Sequence, residues 1–454
     1  MVKNFRRTHL DGHPLHPSTQ MTAYGYDPLL SEGAVKPPVF LTSTFAFASA
    51  EEGAEFFDVV AGRKPAPEGM GAGGLVYSRF NHPNSEIVED RLALYDHAET
   101  ALVTSSGMSA ISAVALTYLR PGDAVVHSVP LYGGTETLFD KVFTQWGIKP
   151  IPFVDGATVE SLIYVLEKAA RHGPVKMVYL ETPANPTNAT IDLAHVRRAV
   201  DEWASVSGQT PLIVCDNTLL GPVFQNPLDH GADICVYSLT KYVGGHSDLV
   251  AGGITGSRAL LKPVRQTRSA YGFQLDPHSC WMLARSMETL ALRMERATDS
   301  ATRVAAWIAA NTIIPARVLH VDHDISEAEK AVHARQCSGA GSTFSFVVRD
   351  DRALAFRILN GLTLFKLAVS LGGSESLVCH PASTTHSGVP VAAREASGVT
   401  EGLIRLSVGL EHPDDLIRDL SQAFRHAAEG TEPAPRATRK AGGRRAAAAP
   451  EVSS

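Results

Sequence analysis

The sequence predicts an α/β fold, a mostly parallel sheet covered by helices on both faces, followed by a smaller C-terminal α+β domain. Three observations point there. Between about residues 85 and 260, short and continuously apolar runs alternate with stretches of helical periodicity, the pattern of strands buried on both faces. Beyond about residue 275 that alternation gives way to one long helical stretch and then isolated strand-like pieces, the pattern of a separate α+β unit. Finally, 454 residues with 44% hydrophobic and 19% charged side chains are enough to build more than one core.

Residues 1–60 are expected to form an N-terminal arm, because the first forty are polar and broken by prolines at 14, 17, 28, 37 and 38. The α/β domain is expected over 61–275. It opens with a loop at 61–74 rich in Gly, Ala and Pro. Helices are predicted at 85–96 and 107–119, then the strand Ala124–Ser128, helices at 135–146 and 158–172, and the strand Lys176–Leu180. A helix at 192–206 precedes the strands Pro211–Cys215 and Ile234–Ser238. The α+β domain is expected over 276–428, with one helical stretch from His278 to Asn311 and strands at Gly341–Val348 and Leu403–Val408. Residues 429–454 turn to Ala, Pro, Gly and Arg and read as a disordered tail.

Composition also excludes function classes. Lys+Arg 41 against Asp+Glu 47 gives a net charge of −6, too mild for a nucleic-acid partner. The basic residues of the tail, among them Arg436, Arg439 and Lys440, have no aromatic residues between them. No apolar run approaches the roughly 18 residues a membrane helix needs, and the start lacks the apolar stretch of a secretory signal. A soluble, cytoplasmic protein is expected. The five cysteines (215, 235, 280, 337, 379) show neither a disulfide framework nor zinc-ligand spacing, and no metal site is predicted. Cys215 and Cys235 fall inside strand-like runs and are read as buried, inert thiols.

Chemistry concentrates around Val-Tyr-Ser238-Leu-Thr240-Lys241-Tyr-Val-Gly-Gly. Lys241 directly follows an apolar strand, at the edge where open α/β sheets place their ligands. Ser238 and Thr240 flank it at a hydroxyl spacing suited to phosphate oxygens. Upstream, Asp216 ends another buried strand, and a carboxylate there is costly unless a cation or a hydrogen bond compensates it. A protonated pyridine nitrogen is such a cation. Thr104-Ser-Ser-Gly107-Met108-Ser-Ala opens a helix whose free N–H groups suit a phosphate, although simple capping by a serine accounts for the same turn. A phosphate cradle, a carboxylate for a ring nitrogen and a lysine for a Schiff base together call for pyridoxal 5'-phosphate (PLP). Neither nucleotide fingerprint, Gly-x-Gly-x-x-Gly after a strand or Gly-x-x-x-x-Gly-Lys-[Ser/Thr], is present.

From about residue 20 to 425 the chain resembles the Cys/Met-metabolism family of PLP enzymes, which includes cystathionine γ-synthase, cystathionine γ-lyase, methionine γ-lyase and O-acylhomoserine sulfhydrylase. The motifs that carry the resemblance occur in family order: Tyr77-Ser-Arg79, Ser105-Ser-Gly-Met108, Pro130-Leu-Tyr132-Gly-Gly-Thr135, Glu181-Thr-Pro-Ala-Asn185-Pro, Asp216-Asn-Thr218, Ser238-Leu-Thr-Lys241-Tyr, Ser370-Leu-Gly-Gly and Ile404-Arg405-Leu-Ser-Val-Gly-Leu-Glu411. The resemblance implies the PLP-dependent aminotransferase-like fold (fold type I). It also implies Lys241 as the Schiff-base lysine, Asp216 on the ring nitrogen with Thr218 beside it, and Tyr132 stacked on the ring as a proton donor. Gly107, Met108, Ser238 and Thr240 are implied as phosphate ligands. Tyr77 and Arg79 are implied to complete the phosphate site of a neighbouring subunit, which makes a homo-oligomer, a tetramer built from dimers with shared active sites, the expected assembly. Asn185, Ser370 and Arg405 are implied to hold the cofactor oxygen or the substrate carboxylate.

Two positions bear on the reaction, and they disagree. Methionine γ-lyases commonly carry a cysteine where this chain has Gly134, as synthases and sulfhydrylases do. Cystathionine-handling relatives commonly place a glutamate where this chain has Val369, inside Phe365-Lys-Leu-Ala-Val-Ser-Leu-Gly-Gly. An apolar side chain there suits a short uncharged substituent. The expectation is therefore γ-elimination from methionine or a homoserine-type substrate, with γ-replacement on an O-activated homoserine as the alternative.

Overall fold

The computed structural model describes residues 5–65, 74–154 and 158–431. Most of the expected loop at 61–74 and the tail from 432 onward lie outside the described residues. Among the described residues, 5–40 carry little regular structure: a ribbon of two-residue strands (His9–Leu10 with His13–Pro14), the short helix Pro17–Met21 and the 3-10 turn Pro28–Leu30. A helix, Ala50–Val60, then forms within the segment expected to be arm, its first turn capped by Ser49 Oγ accepting from Glu52 N.

The large sheet has seven strands in the order Thr100–Thr104, Gly252–Gly256, Ile234–Ser238, Leu212–Asp216, Val175–Glu181, Ala124–Val129 and Lys149–Val154. Only Gly252–Gly256 runs against the others. Alternate residues feed two different cores. Val126, Val178, Ile213 and Cys235 pack on one face, and Val125, Met177, Tyr179, Val214 and Val236 on the other. This two-sided burial is why the strands read as unbroken apolar runs.

Three strands were not visible in that pattern. Gly252-Gly-Ile-Thr-Gly256 reads as a loop, yet it passes so close to the turn after Thr104 that a Cβ on Gly252 would fall 2.1 Å from the Ser106 carbonyl oxygen. Lys149–Val154 contains Pro150 and Pro152, which an edge strand tolerates because one side of its backbone needs no partner. Thr100–Thr104, with its own polar ends, is the opposite edge. The helix expected at 135–146 is a composite: Gly133–Thr137 is α-helical, Leu138–Phe143 widens into π-helical turns and Thr144–Trp146 tightens to 3-10. The wide turns keep Phe139 and Phe143 on one buried face, stacked with centroids 5.7 Å apart.

The stretch His278–Asn311 is two helices, Pro277–Met287 and Leu290–Ala309, rather than one. At the break, Arg293 Nη2 donates to Ser286 O and so satisfies a carbonyl of the interrupted turn. The second sheet has five strands in the order Arg317–Leu319, Thr343–Val347, Leu403–Ser407, Leu377–Cys379 and Lys366–Leu367. Phe344, Phe346, Ile404 and Leu406 from its middle strands pack on Ile358 and on Leu420 and Phe424 of the helix Pro413–Glu429. By strand alternation Arg405 lies on the other face from Ile404 and Leu406.

The turn at residues 104–107 is braced from behind by a buried ion pair. Arg268 Nη1 donates to Glu89 Oε1 at 2.6 Å and to Val103 O at 3.0 Å, and Val103 N donates to the same carboxylate. Truncating Arg268 leaves the buried Glu89 carboxylate with only the longer contact from Arg265 Nη1, 3.4 Å from Oε2. Arg268→Met should therefore lower unfolding free energy by about 3–5 kcal/mol, read from chemical denaturation, and adding Glu89→Leu should restore part of it. A single variant as stable as the parent would show that the pair is not a brace.

Candidate active site

The parallel register brings polar groups to one line. Glu181 is level with Asp216, and Asp216 with Val236, so Glu181, Asp216 and Ser238 end three adjacent strands on the same sheet face. Above them lies a cavity of about 590 Å³. Gly107, Met108, Tyr132, Asn185, Asp216, Thr218, Ser238, Thr240, Lys241, Ser370 and Arg405 all line it. Tyr77 and Arg79 do not. Arg79 Nη1 donates to Ser269 O at 3.0 Å with its guanidinium 4.5 Å from the Phe80 ring centre, and Tyr77 is exposed beside the same ring.

The helix Gly107–Tyr118 begins at the cavity wall. Ser106 Oγ accepts from Ser109 N, so the capping role of the serine is present. The helix end is also pressed against the strand end, since a Cβ on Gly107 would sit 2.9 Å from Ser238 Cβ. Glycine there leaves the first-turn backbone accessible to an anion.

Asp216 is buried and accepts from Thr218 Oγ1 (2.6 Å), Thr218 N (3.1 Å) and Tyr179 Oη (3.3 Å). These donors lower its pKa, but burial outweighs them and pushes the carboxyl up. A cationic ring nitrogen at this place supplies the charge that the donors do not.

Lys241 Nζ donates to Ser370 Oγ at 3.0 Å. Burial first, and then the nearby Arg405 guanidinium, bring this amine from 10.5 down to about 8. Arg405 is buried, donating through Nη1 to Asn185 Oδ1 and through Nη2 to Ser370 O, both at 2.9 Å, while its buried Nε has no partner. A guanidinium held by one edge with a free N–H on another is prepared for a carboxylate.

Three contributors escaped the sequence reading as individual functional groups. Glu181 lines the cavity as a buried carboxyl, raised by burial and by Asp216. The logic that singled out Asp216, an acid ending an apolar strand, applies to it equally. Thr384 and Thr385 come from the second sheet's side of the molecule. A Cβ on Gly133 would lie 2.2 Å from Thr385 O, so the loop after Leu131 and the Thr384–His386 segment meet backbone to backbone. Nothing in the local sequence signals that contact. Gly134 has a comparable role: a Cβ there would fall 2.6 Å from Tyr132 Cε1 and 3.2 Å from Met108 Sδ.

Residues 18–425 match the family described as Cys/Met metabolism PLP-dependent enzyme. The chain belongs to this family. Members similar to it include an L-methionine gamma-lyase of Pseudomonas deceptionensis, 37% identical over 410 residues that cover 90% of this chain and 97% of the relative. Cystathionine gamma-synthase of Escherichia coli K12 is 34% identical over 399 residues, covering 88% and 95%. Among solved structures, cystathionine gamma synthase from Xanthomonas oryzae pv. oryzae in complex with cystathionine superposes with a TM-score of 0.81 at 32% identity, covering 92% of this chain and 100% of that one. The chain is accordingly a PLP-dependent enzyme with the fold type I architecture of this family, and the compensating charge missing at Asp216, the glycine-walled helix end and the lowered amine all fit the cofactor.

If Lys241 is the residue that would bind the cofactor aldehyde, its amine has to be neutral to do so. With Lys241 near 8, cofactor uptake by apoenzyme should rise about tenfold per pH unit below that point and level off above it. The check is the growth of the lysine-bound cofactor absorbance after mixing, measured from pH 6 to 10. A rate still climbing at pH 9.5 would mean that Lys241 has an ordinary amine pKa.

Proposed function

We propose that the enzyme catalyses γ-elimination from methionine or a related homoserine-type sulfur amino acid, giving 2-oxobutyrate, ammonia and a thiol. The observation that carries this reading is Val369, which lines the cavity and is 58% exposed at its mouth. With Val250 also at the mouth, the distal end of a substrate meets apolar surface. The likeness to methionine γ-lyases at 37% identity supports the same reading. Gly134 favours a second reading, γ-replacement on an O-activated homoserine in trans-sulfuration, because it leaves no side chain beside Tyr132.

In either reaction the chain's residues divide the labour in the same way. Arg405, fixed by Asn185, binds the substrate carboxylate. Lys241 takes the proton from Cα, its neutral form favoured by burial. Bound PLP supplies the sink for the electrons left behind. Asp216 keeps the ring nitrogen protonated, and Gly107, Met108, Ser238, Thr240 and Thr218 surround the phosphate and ring. A second deprotonation, at Cβ, then supplies the electron pair that expels the group on Cγ, and Tyr132 gives its phenolic proton to that departing sulfur or oxygen. Tyr77 and Arg79 act on a neighbouring subunit's phosphate, within a homotetramer built from dimers that share active sites. No helix among the described residues is long and apolar enough to cross a membrane. A cytoplasmic setting belongs to the same proposal, since all five cysteines are free thiols.

One panel separates the two reactions: methionine, homocysteine, cystathionine, and O-acetyl- and O-succinylhomoserine, each with and without added thiol. Methionine should yield 2-oxobutyrate without thiol and should outrun cystathionine, whose distal ammonium finds no partner at Val369. Faster cleavage of cystathionine than of every other compound would refute the Val369 argument, and reaction of the esters alone, only with thiol, would establish replacement.

Shared sites have their own test. Arg79→Ala and Lys241→Ala should each be inactive alone, and mixing them under subunit exchange should restore part of the activity, because one hybrid interface holds an intact site. No recovery after verified exchange would show that each chain is self-sufficient.

A further inference from the structure

We propose that Glu181 is a positioning residue, a two-pronged clamp whose single carboxyl sets both the loop bearing Tyr132 and the turn bearing Asn185. Glu181 Oε2 accepts from Tyr132 N at 2.7 Å, and Oε1 accepts from Asn185 N at 2.9 Å. The side chain is 4% exposed. Its own backbone is fixed too, with Glu181 N donating to Ser128 Oγ at 3.1 Å.

The energetics argue against a packing role. Burial disfavours this carboxyl, and the neighbouring Asp216 and Glu136 disfavour it further. Among the described residues its hydrogen-bond donors are the two backbone N–H groups, and no cation pairs with it. An apolar residue of similar volume avoids that penalty, so the carboxyl contributes something an apolar residue lacks: two acceptors on one rigid group.

Those acceptors face the two segments that matter. One carries Tyr132. The other carries Asn185, whose Oδ1 accepts from Arg405 Nη1. The clamp therefore links the phenol to the carboxylate-binding guanidinium through Asn185, across two loops that are far apart in sequence. Displacing reacting groups by about 1 Å is enough to cost a hundredfold in rate. This inference rests on Tyr132 and Arg405 acting as proposed above.

The test uses Glu181→Ala, which removes both acceptors, and the isosteric Glu181→Gln, which keeps one oxygen and turns an amide donor toward the other N–H. In apoenzyme, amide hydrogen exchange in peptides covering 130–134 and 183–188 should speed up about tenfold or more in Glu181→Ala, with the central strands unchanged. In holoenzyme, glycine, which has no leaving group, should bind about tenfold more weakly, read from the shift in cofactor absorbance. KM for the amino acid should rise and kcat should fall, with Glu181→Gln intermediate. Combined with Asn185→Ala, the loss in glycine affinity should be less than the sum of the single losses.

Unchanged exchange at both segments, or glycine affinity and KM equal to the parent's with only thermal stability lowered, would overturn the clamp. If Glu181→Ala does not fold, the same comparison stands on Glu181→Gln. A parent enzyme that binds no cofactor or no glycine would instead overturn the reading of the site on which the clamp depends, and the clamp with it.

Discussion

The register of the central parallel strands is the constraint from which the rest of the molecule follows. Strand pairing puts Glu181 level with Asp216 and Asp216 level with Val236, and the two-residue alternation then sends Glu181, Asp216 and Ser238 to one face. A slip of a single residue would turn Glu181, Asp216 or Ser238 into the apolar core on the other face and bring Leu180, Cys215 or Tyr237 to the cavity side. Both faces of the sheet are packed, so such a slip would empty two cores at once. Hydrophobic burial thus fixes the position of charges that are themselves unfavourable to bury.

Those charges are then balanced against each other. Asp216 has hydroxyl and amide donors but no cation, Arg405 has a buried Nε without a partner, and Lys241 is held as a weaker base than in water. In the proposed reading each deficiency meets something on the cofactor or the substrate: a ring nitrogen, a carboxylate, an aldehyde carbon. The protein part alone is poised with unmet electrostatic demands, and binding relieves them.

Much of this was legible in the sequence because a polar residue ending an apolar strand is a loud signal. Asp216 and Lys241 stand out in that way, and Glu181 carries the same signal without having been weighed by itself. Other strands of the large sheet were less legible. Gly252–Gly256 imitates a loop because the turn at Ser106 leaves no room for side chains, and Lys149–Val154 is disguised by prolines that an edge tolerates. The break between Met287 and Leu290 was invisible because helical periodicity continues across it, and what interrupts the helix is a carbonyl taken by Arg293. The contact of Gly133 with Thr385 joins segments with no local pattern in common, so only the folded chain reveals it. Tyr77 and Arg79 were legible only through resemblance, and within one chain they turn to Phe80 and Ser269 instead.

Val369 sits just beyond the paired part of the five-stranded sheet. It follows Lys366–Leu367, a two-residue strand at the outer edge of the five-stranded sheet, and it projects from irregular backbone just before Ser370. The groups proposed for the chemistry, by contrast, are anchored in paired strands, a helix start or buried side chains. The enzyme therefore separates an inherited part from an adjustable one. In the proposed reading, substitutions at 369 would alter what the mouth of the cavity accepts without disturbing a ladder hydrogen bond. A lineage can thus change its diet of substrates one residue at a time, while the fold and the proton transfers pass unchanged to its descendants.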